Sequence, residues 1–305
     1  MDKIWDCVIV GGGAAGLSAA LVLGRARKDT LVVDSGAQSN LSAPGIGGLL
    51  GYDGEPPAQL YARGRRELDR YPSVTVRDGE VLTATPNEGG FTVDLADGSN
   101  ARTRRLLLAT GMRYEYPDVP GLSQLWGSTV FHCPFCHGWE VRDQPLAVLA
   151  AGAQAVHKAL LLRGWSSDII LLTDGPPAIP EDDLARLSAA GIRIDDRPVA
   201  RVVAEDSQLA SVEFADGDRL ARRGLLVSSA LYQRSALAAK LGVRFAAANP
   251  ISAEAIEIDP MYQTSVPGVF AAGDVCAQLP QVAAAIAAGS GAAASVVRSL
   301  MEETR

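Results

Sequence analysis

The sequence predicts an α/β chain of two three-layer domains, and three observations lead there. A short apolar strand at residues 7–10 runs through a glycine turn into a helix, and a second apolar strand follows at 30–33. The same strand–turn–helix–strand order returns at 146–173. Proline- and glycine-bearing crossings at 113–121 and 242–250 bracket that second run. Strands alternating with helices at this spacing build parallel sheets covered on both faces. A chain of 305 residues is long enough for about two such domains.

Composition sets the class. The chain is 48% hydrophobic and 21% charged, as ordinary globular proteins are. A net charge of -7 excludes nucleic-acid binding as the main task, because that needs a basic surface. The opening Met1-Asp2-Lys3-Ile4-Trp5-Asp6 places acids where a secretory leader has a basic head, and a cytoplasmic location is expected. The longest uncharged run near the C-terminus, 281–297, is mostly Ala, Gly and Ser, and is read as short of a membrane span. In a reducing compartment, four cysteines read as catalytic or buried thiols rather than as a disulfide scaffold.

In chain order, the first strand meets Gly11-Gly12-Gly13-Ala14-Ala15-Gly16, a G-x-G-x-x-G in the strand–turn–helix context that a dinucleotide requires. Gly11 permits the turn, Gly13 lets backbone approach a pyrophosphate, and Gly16 lets helix and strand pack closely. Ala14 and Ala15 lie at the helix N-terminus, whose free N–H groups suit phosphates. The second strand ends at Asp34, placed to accept hydrogen bonds from a ribose hydroxyl. Loops follow at 39–41 and 51–57. Residues 60–71 form an arginine-rich amphipathic helix, read as a solvated face. Residues 74–85 and 91–97 read as strands of a small β-meander. A strand then ends in Ala109-Thr110-Gly111.

The chemistry centres on His132-Cys133-Pro134-Phe135-Cys136-His137, which holds two of the four cysteines and two of the three histidines. Cysteines at this spacing close a disulfide over a short loop, or open to a dithiol whose first thiolate attacks another disulfide. A flanking histidine can take or give the proton each exchange moves. Two other readings stand beside this one. Structural zinc needs four tetrahedral ligands, and His132 and His137 abut the cysteines too directly to close that cage. The cysteines can also be structural. No metal site is assigned. His132 is either a catalytic part or a flank of the motif; His157 reads as structural. Trp126, Phe131, Phe135 and Trp139 either shape a small apolar substrate pocket or pack the domain boundary.

Residues 264–275, Thr-Ser-Val-Pro-Gly-Val-Phe-Ala-Ala-Gly-Asp-Val, resemble the second FAD motif of the pyridine-nucleotide disulfide oxidoreductase superfamily. Residues 106–111 resemble its Ala-Thr-Gly motif. With a Cys-x-x-Cys between the two FAD halves, the chain resembles low-molecular-weight thioredoxin reductases over nearly its whole length. The resemblance implies two Rossmann-like three-layer domains. Residues 1–114 and 245–305 are an FAD domain, split by an inserted nucleotide-binding-like domain, 115–244, that carries the Cys-x-x-Cys. It implies FAD contacts from Gly11, Gly13, Ala14, Ala15, Gly16, Asp34, Ala109, Thr110, Gly111, Gly273 and Asp274. The Val81 backbone would touch adenine. Gln38 and Asn40 are either flavin contacts or turn residues. Gln281 and Val282 open a helix directed at the flavin pyrimidine ring, in place of the family's Arg-Gln pair. Cys136 becomes the flavin-proximal thiol and Cys133 the interchange thiol, and His137 stands where the family has an acid.

The inserted domain departs from the family's nicotinamide site. Ala150 replaces the first glycine of its turn, where a methyl strains a positive φ and crowds a phosphate. Asp174-Gly175-Pro176-Pro177 replaces the arginines that hold the NADP 2′-phosphate. NADPH is therefore disfavoured. NADH keeps a place, since an acid suits a free ribose hydroxyl, and so does a vestigial fold that binds no nucleotide.

These departures, with the Cys-Pro-Phe-Cys-His-Gly-Trp-Glu run, resemble the dithiol oxidases of gliotoxin and holomycin biosynthesis. The resemblance implies oxidation of a small-molecule dithiol to an intramolecular disulfide, with O2 as acceptor and hydrogen peroxide as product, in a homodimer. Two alternatives remain: a thioredoxin-type reductase fed by NADH or ferredoxin, and a non-catalytic flavin redox sensor.

Overall fold

The computed structural model describes residues 3–276 and 280–302. Met1 and Asp2, part of the start read above for a leader, lie outside the described residues. The chain divides into two compact units. The first comprises Met1–Leu41, Glu55–Tyr114 and Leu231–Arg305; the second comprises Ser42–Gly54 and Glu115–Ala230.

The first unit is built on a sheet of seven described strands. In order across it run Val74–Asp78, Thr30–Asp34, Ile4–Val10, Asn100–Leu108, Gly90–Leu95 and Val81–Asn87, with Val269–Ala271 also beside Asn100–Leu108. The strands around Ile4–Val10 are parallel. Such strands are apolar on both faces because both are covered. Alternation then sorts their side chains. Val8 and Val10 enter one core with Leu106, Leu108 and the Val81–Leu95 hairpin, while Cys7 and Ile9 enter the other with the helices. Each large apolar side chain so buried contributes roughly 1.5–3 kcal/mol.

The expected meander over 74–85 is two different elements. Val74–Asp78 is a parallel strand paired with Thr30–Asp34. The chain turns at Gly79, whose N–H donates to the Asp34 carbonyl, and only Val81–Asn87 pairs antiparallel with Gly90–Leu95. A single apolar-polar pattern across a tight turn hides the change of partner.

The helical face joins Ala14–Arg25 to the C-terminal helix Val282–Glu302. Their approach is close enough that a Cβ on Gly289 would overlap the Ala15 carbonyl oxygen. Ser18 Oγ adds a hydrogen bond to the Ile286 carbonyl at 2.7 Å. Contrary to the reading of 281–297, Val282–Glu302 is long and apolar enough, by length and composition, to cross a membrane. Ala285, Gly289, Ala292, Ala293 and Val296 are buried, so one face of the helix packs into the core.

The second unit carries a parallel five-stranded sheet in the order Arg193–Asp195, Ile169–Leu172, Leu146–Leu149, Gly224–Val227, Val130–Phe131. Helix Gly152–Leu162 packs on one side, in a cluster with Phe131, Leu146 and Val148. An antiparallel sheet of Val199–Glu205, Gln208–Phe214 and Arg219–Ala221 contributes to the other cluster. The return to the first unit falls at Leu231 rather than after residue 244. The reason is local: Ala230–Gln233 pairs with Met112–Glu115 in a two-stranded sheet, which a reading of proline and glycine positions does not reveal.

The packing at Gly289 yields a test. Gly289→Ala should lower stability by roughly 1–3 kcal/mol, the usual cost of overpacking, read as a fall in the urea midpoint with an unchanged slope.

Candidate functional site

Ile4–Val10 delivers the chain to Gly11, which adopts a φ of 109°, a conformation that L side chains rarely take. A Cβ there would overlap the Ala109 carbonyl oxygen, so the turn lies directly against Ala109-Thr110-Gly111. Gly13 caps helix Ala14–Arg25 without a side-chain bond, and the first helical turn contains no acid. The N–H groups of that turn, on Ala14, Ala15 and Gly16, are thus presented to an anion, with the helix dipole behind them. Ala272 N–H donates to the Leu108 carbonyl at 3.0 Å, which brings Gly273 and Asp274 to the same end of the sheet. The cradle fits the pyrophosphate and ribityl portions of FAD.

Asp34 behaves otherwise than the ribose reading supposed. Its Oδ1 accepts from Gly12 N–H at 3.0 Å, Gly36 N–H at 3.2 Å and Gln38 Nε2 at 3.1 Å. Its Oδ2 accepts from Gln38 Nε2 and from the Arg65 guanidinium. A carboxylate offers about four lone-pair sites, so a ribose hydroxyl has to displace Gln38 or Arg65. Asp34 organises the turn, and Gln38 is one of its donors. Asn40 Oδ1 accepts from Tyr61 OH at 2.8 Å. Both Tyr61 and Arg65 sit on helix Pro57–Leu68, which corrects its reading as a solvated face: Tyr61 and Leu68 are buried, and Arg65 bridges Asp34 and Asp78. The signal available was the Tyr61–Arg65 spacing of one helical turn.

Val81 is a buried strand residue paired with Leu95. Gln281 receives the Ala285 N–H at 2.9 Å, just before Val282 opens the last helix. Burial pushes the Asp274 carboxyl up to about 6. Burial also pushes Tyr61 up to about 12 and raises Tyr114, with the Asp274 charge adding to each. The two free cysteines are poor nucleophiles here. Burial raises Cys7 and pushes Cys276 up to about 12.

In the second unit Cys133 and Cys136 form a disulfide, with Cα atoms 5.4 Å apart. Cys133 precedes the single helical turn Pro134–His137, and Pro134 supplies the fixed φ that starts it. The loop from Ser42 to Gly54 belongs to this unit, and a Cβ on Gly47 would lie 2.7 Å from the Cys136 carbonyl oxygen. Gly47 is therefore a site residue that the motif search missed; its only trace in the sequence is a glycine-rich loop.

His137 lies alongside Phe131, with ring centroids 5.8 Å apart. Both its ring nitrogens are buried and make no hydrogen bond of ordinary geometry. Burial lowers its pKa, opposed by the Glu140 charge and by nearby backbone of Gly127 and Cys133. The imidazole is thus neutral at neutral pH. His132 stacks on Trp126, centroids 5.5 Å apart, and burial first, then His137 and Lys158, pushes it down to about 3. Its imidazole is therefore also neutral near neutrality. Lys158, on helix Gly152–Leu162, is a partly buried cation that the sequence reading passed over; burial lowers its pKa.

The second nucleotide turn also differs from expectation. Ala150 is buried and is not among the residues of positive φ; Gly152 takes that conformation, at 63°. The alanine methyl therefore strains nothing, and only its crowding of a phosphate remains as an objection. Asp174 Oδ1 accepts from Val199 N–H at 2.7 Å. It braces a loop, which weakens its candidacy as a ribose acceptor. Among the described residues no group of three or more His, Cys, Asp or Glu is placed to hold a metal ion.

With this geometry in hand, comparison places the chain in the pyridine nucleotide-disulphide oxidoreductase family, whose profile matches residues 5–289. Over 298 residues it is 32% identical to thioredoxin reductase tcpT of Claviceps purpurea, covering 94% of this chain and 92% of that protein. Among solved structures it is similar to an oxidoreductase from Agrobacterium tumefaciens, with a TM-score of 0.92, 38% identity and coverage of 98% and 99% of the two chains. It is equally similar to HlmI, with a TM-score of 0.92, 39% identity and coverage of 100% and 95%. The chain is a flavin-dependent disulfide oxidoreductase of two-domain, thioredoxin-reductase-like fold, and FAD is its cofactor.

The raised Asp274 carboxyl fixes a pH effect in flavin-free protein. Between about pH 4 and 6 the folded chain holds this proton more firmly than the unfolded chain, so stability falls as pH rises through that window. The fall is roughly 2–3 kcal/mol. Asp274→Asn should flatten it in urea titrations across that range.

Proposed function

We propose that this enzyme oxidises a small-molecule dithiol to an intramolecular disulfide. The observation that carries this reading is the Cys133–Cys136 disulfide with a neutral imidazole, His137, next to it in the chain, whose buried nitrogens make no hydrogen bond of ordinary geometry. In a family whose reductases place an acid at that position, a neutral base suits deprotonation of an incoming thiol. The engaged Asp174 and the missing NADP arginines support a direction of electron flow that does not begin with NADPH. The resemblance to the gliotoxin and holomycin dithiol oxidases supports the same direction.

His137 takes the proton of one substrate thiol, and the resulting thiolate attacks Cys133 Sγ. The Cys133–Cys136 bond breaks and Cys136 leaves as a thiolate. The second substrate thiol then attacks the mixed disulfide, closing the product ring and releasing the Cys133 thiol. The enzyme dithiol now carries the two electrons lost by the substrate. FAD, held by the Gly11–Gly16 turn, would supply the two-electron acceptor, with O2 as final acceptor and hydrogen peroxide as product. A homodimer is the assembly proposed, the commonest symmetry among soluble oligomers.

The reading is checked first by anaerobic flavin absorbance with NADPH, NADH and a small dithiol added separately. Bleaching by the dithiol alone, with recovery and peroxide on admitting air, is expected; rapid bleaching by either nicotinamide identifies a reductase instead. For His137→Ala, kcat with the dithiol should fall by about 10²–10⁴-fold near neutral pH, the usual contribution of a positioned base. A rise in rate as the substrate thiol ionises should partly restore it at alkaline pH. Full turnover across neutral pH would remove His137 from the mechanism.

A further inference from the structure

The four aromatic residues around the disulfide separate into two pairs. Phe131 is fully buried, and Trp126 is packed between Tyr116 and His132. Phe131 belongs to one core cluster of the unit, and Trp126 packs partly buried against the other. Phe135 and Trp139 remain 62% and 66% exposed. Exposed as they are, both rings are braced. Phe135 meets the Trp165 ring at 5.3 Å and 84° between planes. The Arg142 guanidinium lies 3.8 Å from the Trp139 ring centroid, and its Nη1 donates to the Trp139 carbonyl at 2.6 Å. Edge-to-face and cation–π contacts of this kind fix a ring while leaving a face free. Phe135 lies in the turn between the two cysteines, and Trp139 lies within a helical turn of Cys136.

We propose that Phe135 and Trp139 are specificity-determining residues that hold a small dithiol with an aromatic or flat apolar body against the Cys133–Cys136 pair. This rests on the dithiol-oxidase reading and names its substrate class. Size favours a small molecule over a protein. Aromatic side chains present about 150–250 Å² each, so two at roughly two-thirds exposure offer about 200–330 Å². A stable protein partner needs about 800 Å² on each side. Chemistry favours an apolar body. Braced rings lose little freedom on binding, and covering them removes apolar surface from water.

The test compares 1,2-benzenedimethanethiol with dithiothreitol on the flavin-loaded enzyme. Wild type should favour the aromatic dithiol in kcat/KM. That preference should shrink by about tenfold in Phe135→Ala and in Trp139→Ala, mainly through KM, and should be largely kept in Trp139→Phe. A second arm uses 1,2-benzenedimethanol, which has no thiol: it should quench wild-type tryptophan fluorescence, and much less so in Trp139→Phe, whose ring is silent in this readout. Absence of preference in wild type, or an equal fall for both dithiols in the alanine variants, overturns the assignment. If neither dithiol is oxidised but the diol quenches wild type and not Trp139→Phe, the aromatic assignment stands and the oxidase reading falls.

Discussion

The first unit depends on close approach of backbone to backbone at one end of its sheet. Gly11 lies against the Ala109 carbonyl, and Gly289 lies against the Ala15 carbonyl. Those two contacts bring the glycine turn, the Ala109-Thr110-Gly111 segment and the C-terminal helix together. The free amides of the first helix then face a single volume. Asp34 secures the arrangement from behind, because its carboxylate collects donors from the turn, from Gln38 and from helix Pro57–Leu68. A dinucleotide cradle of this kind is made of backbone, and the side chains around it mainly keep that backbone in place.

The second unit works by a different physics. Its disulfide joins the start of one helical turn to a residue within it, and burial holds the imidazoles on either side neutral. A neutral imidazole is an acceptor for a proton, whereas an imidazolium would be a donor. The stacking partners differ as well. Trp126 stacks on His132, whereas His137 lies along Phe131 with its nitrogens buried and making no hydrogen bond of ordinary geometry. Two histidines that look alike as flanks of one motif therefore differ in their surroundings.

Much of this was legible in the sequence because backbone requirements leave local traces. The glycines of the first turn, the Gly-Asp run at the end and the Cys-x-x-Cys spacing each encode one local geometry, and together they located the fold. What was not legible is set by tertiary partners. Arg65 looked solvated because nothing near it in sequence announces Asp34. Asp174 looked like a ribose acceptor because Val199, its actual partner, is remote. Ala150 looked strained because the left-handed position belongs to Gly152, two residues later. His132 and His137 could not be separated, since burial and stacking decide their protonation. Val74–Asp78 lies at the opposite edge of the sheet from the Val81–Leu95 hairpin because its pairing partner, Thr30–Asp34, is a distant strand.

The loop from Ser42 to Gly54 belongs to the second unit, although the chain on both sides of it belongs to the first. The polypeptide therefore passes between the units four times, at 41/42, 54/55, 114/115 and 230/231. Neither unit is a contiguous stretch that can be excised. During synthesis the loop emerges well before residues 115–230, against which it will rest, so the usual order of one domain completing before the next does not apply. A chimera that exchanged only residues 115–230 with a relative would seat a foreign Cys-x-x-Cys turn on the native Gly47. Grafting the loop together with the insert keeps that pair matched.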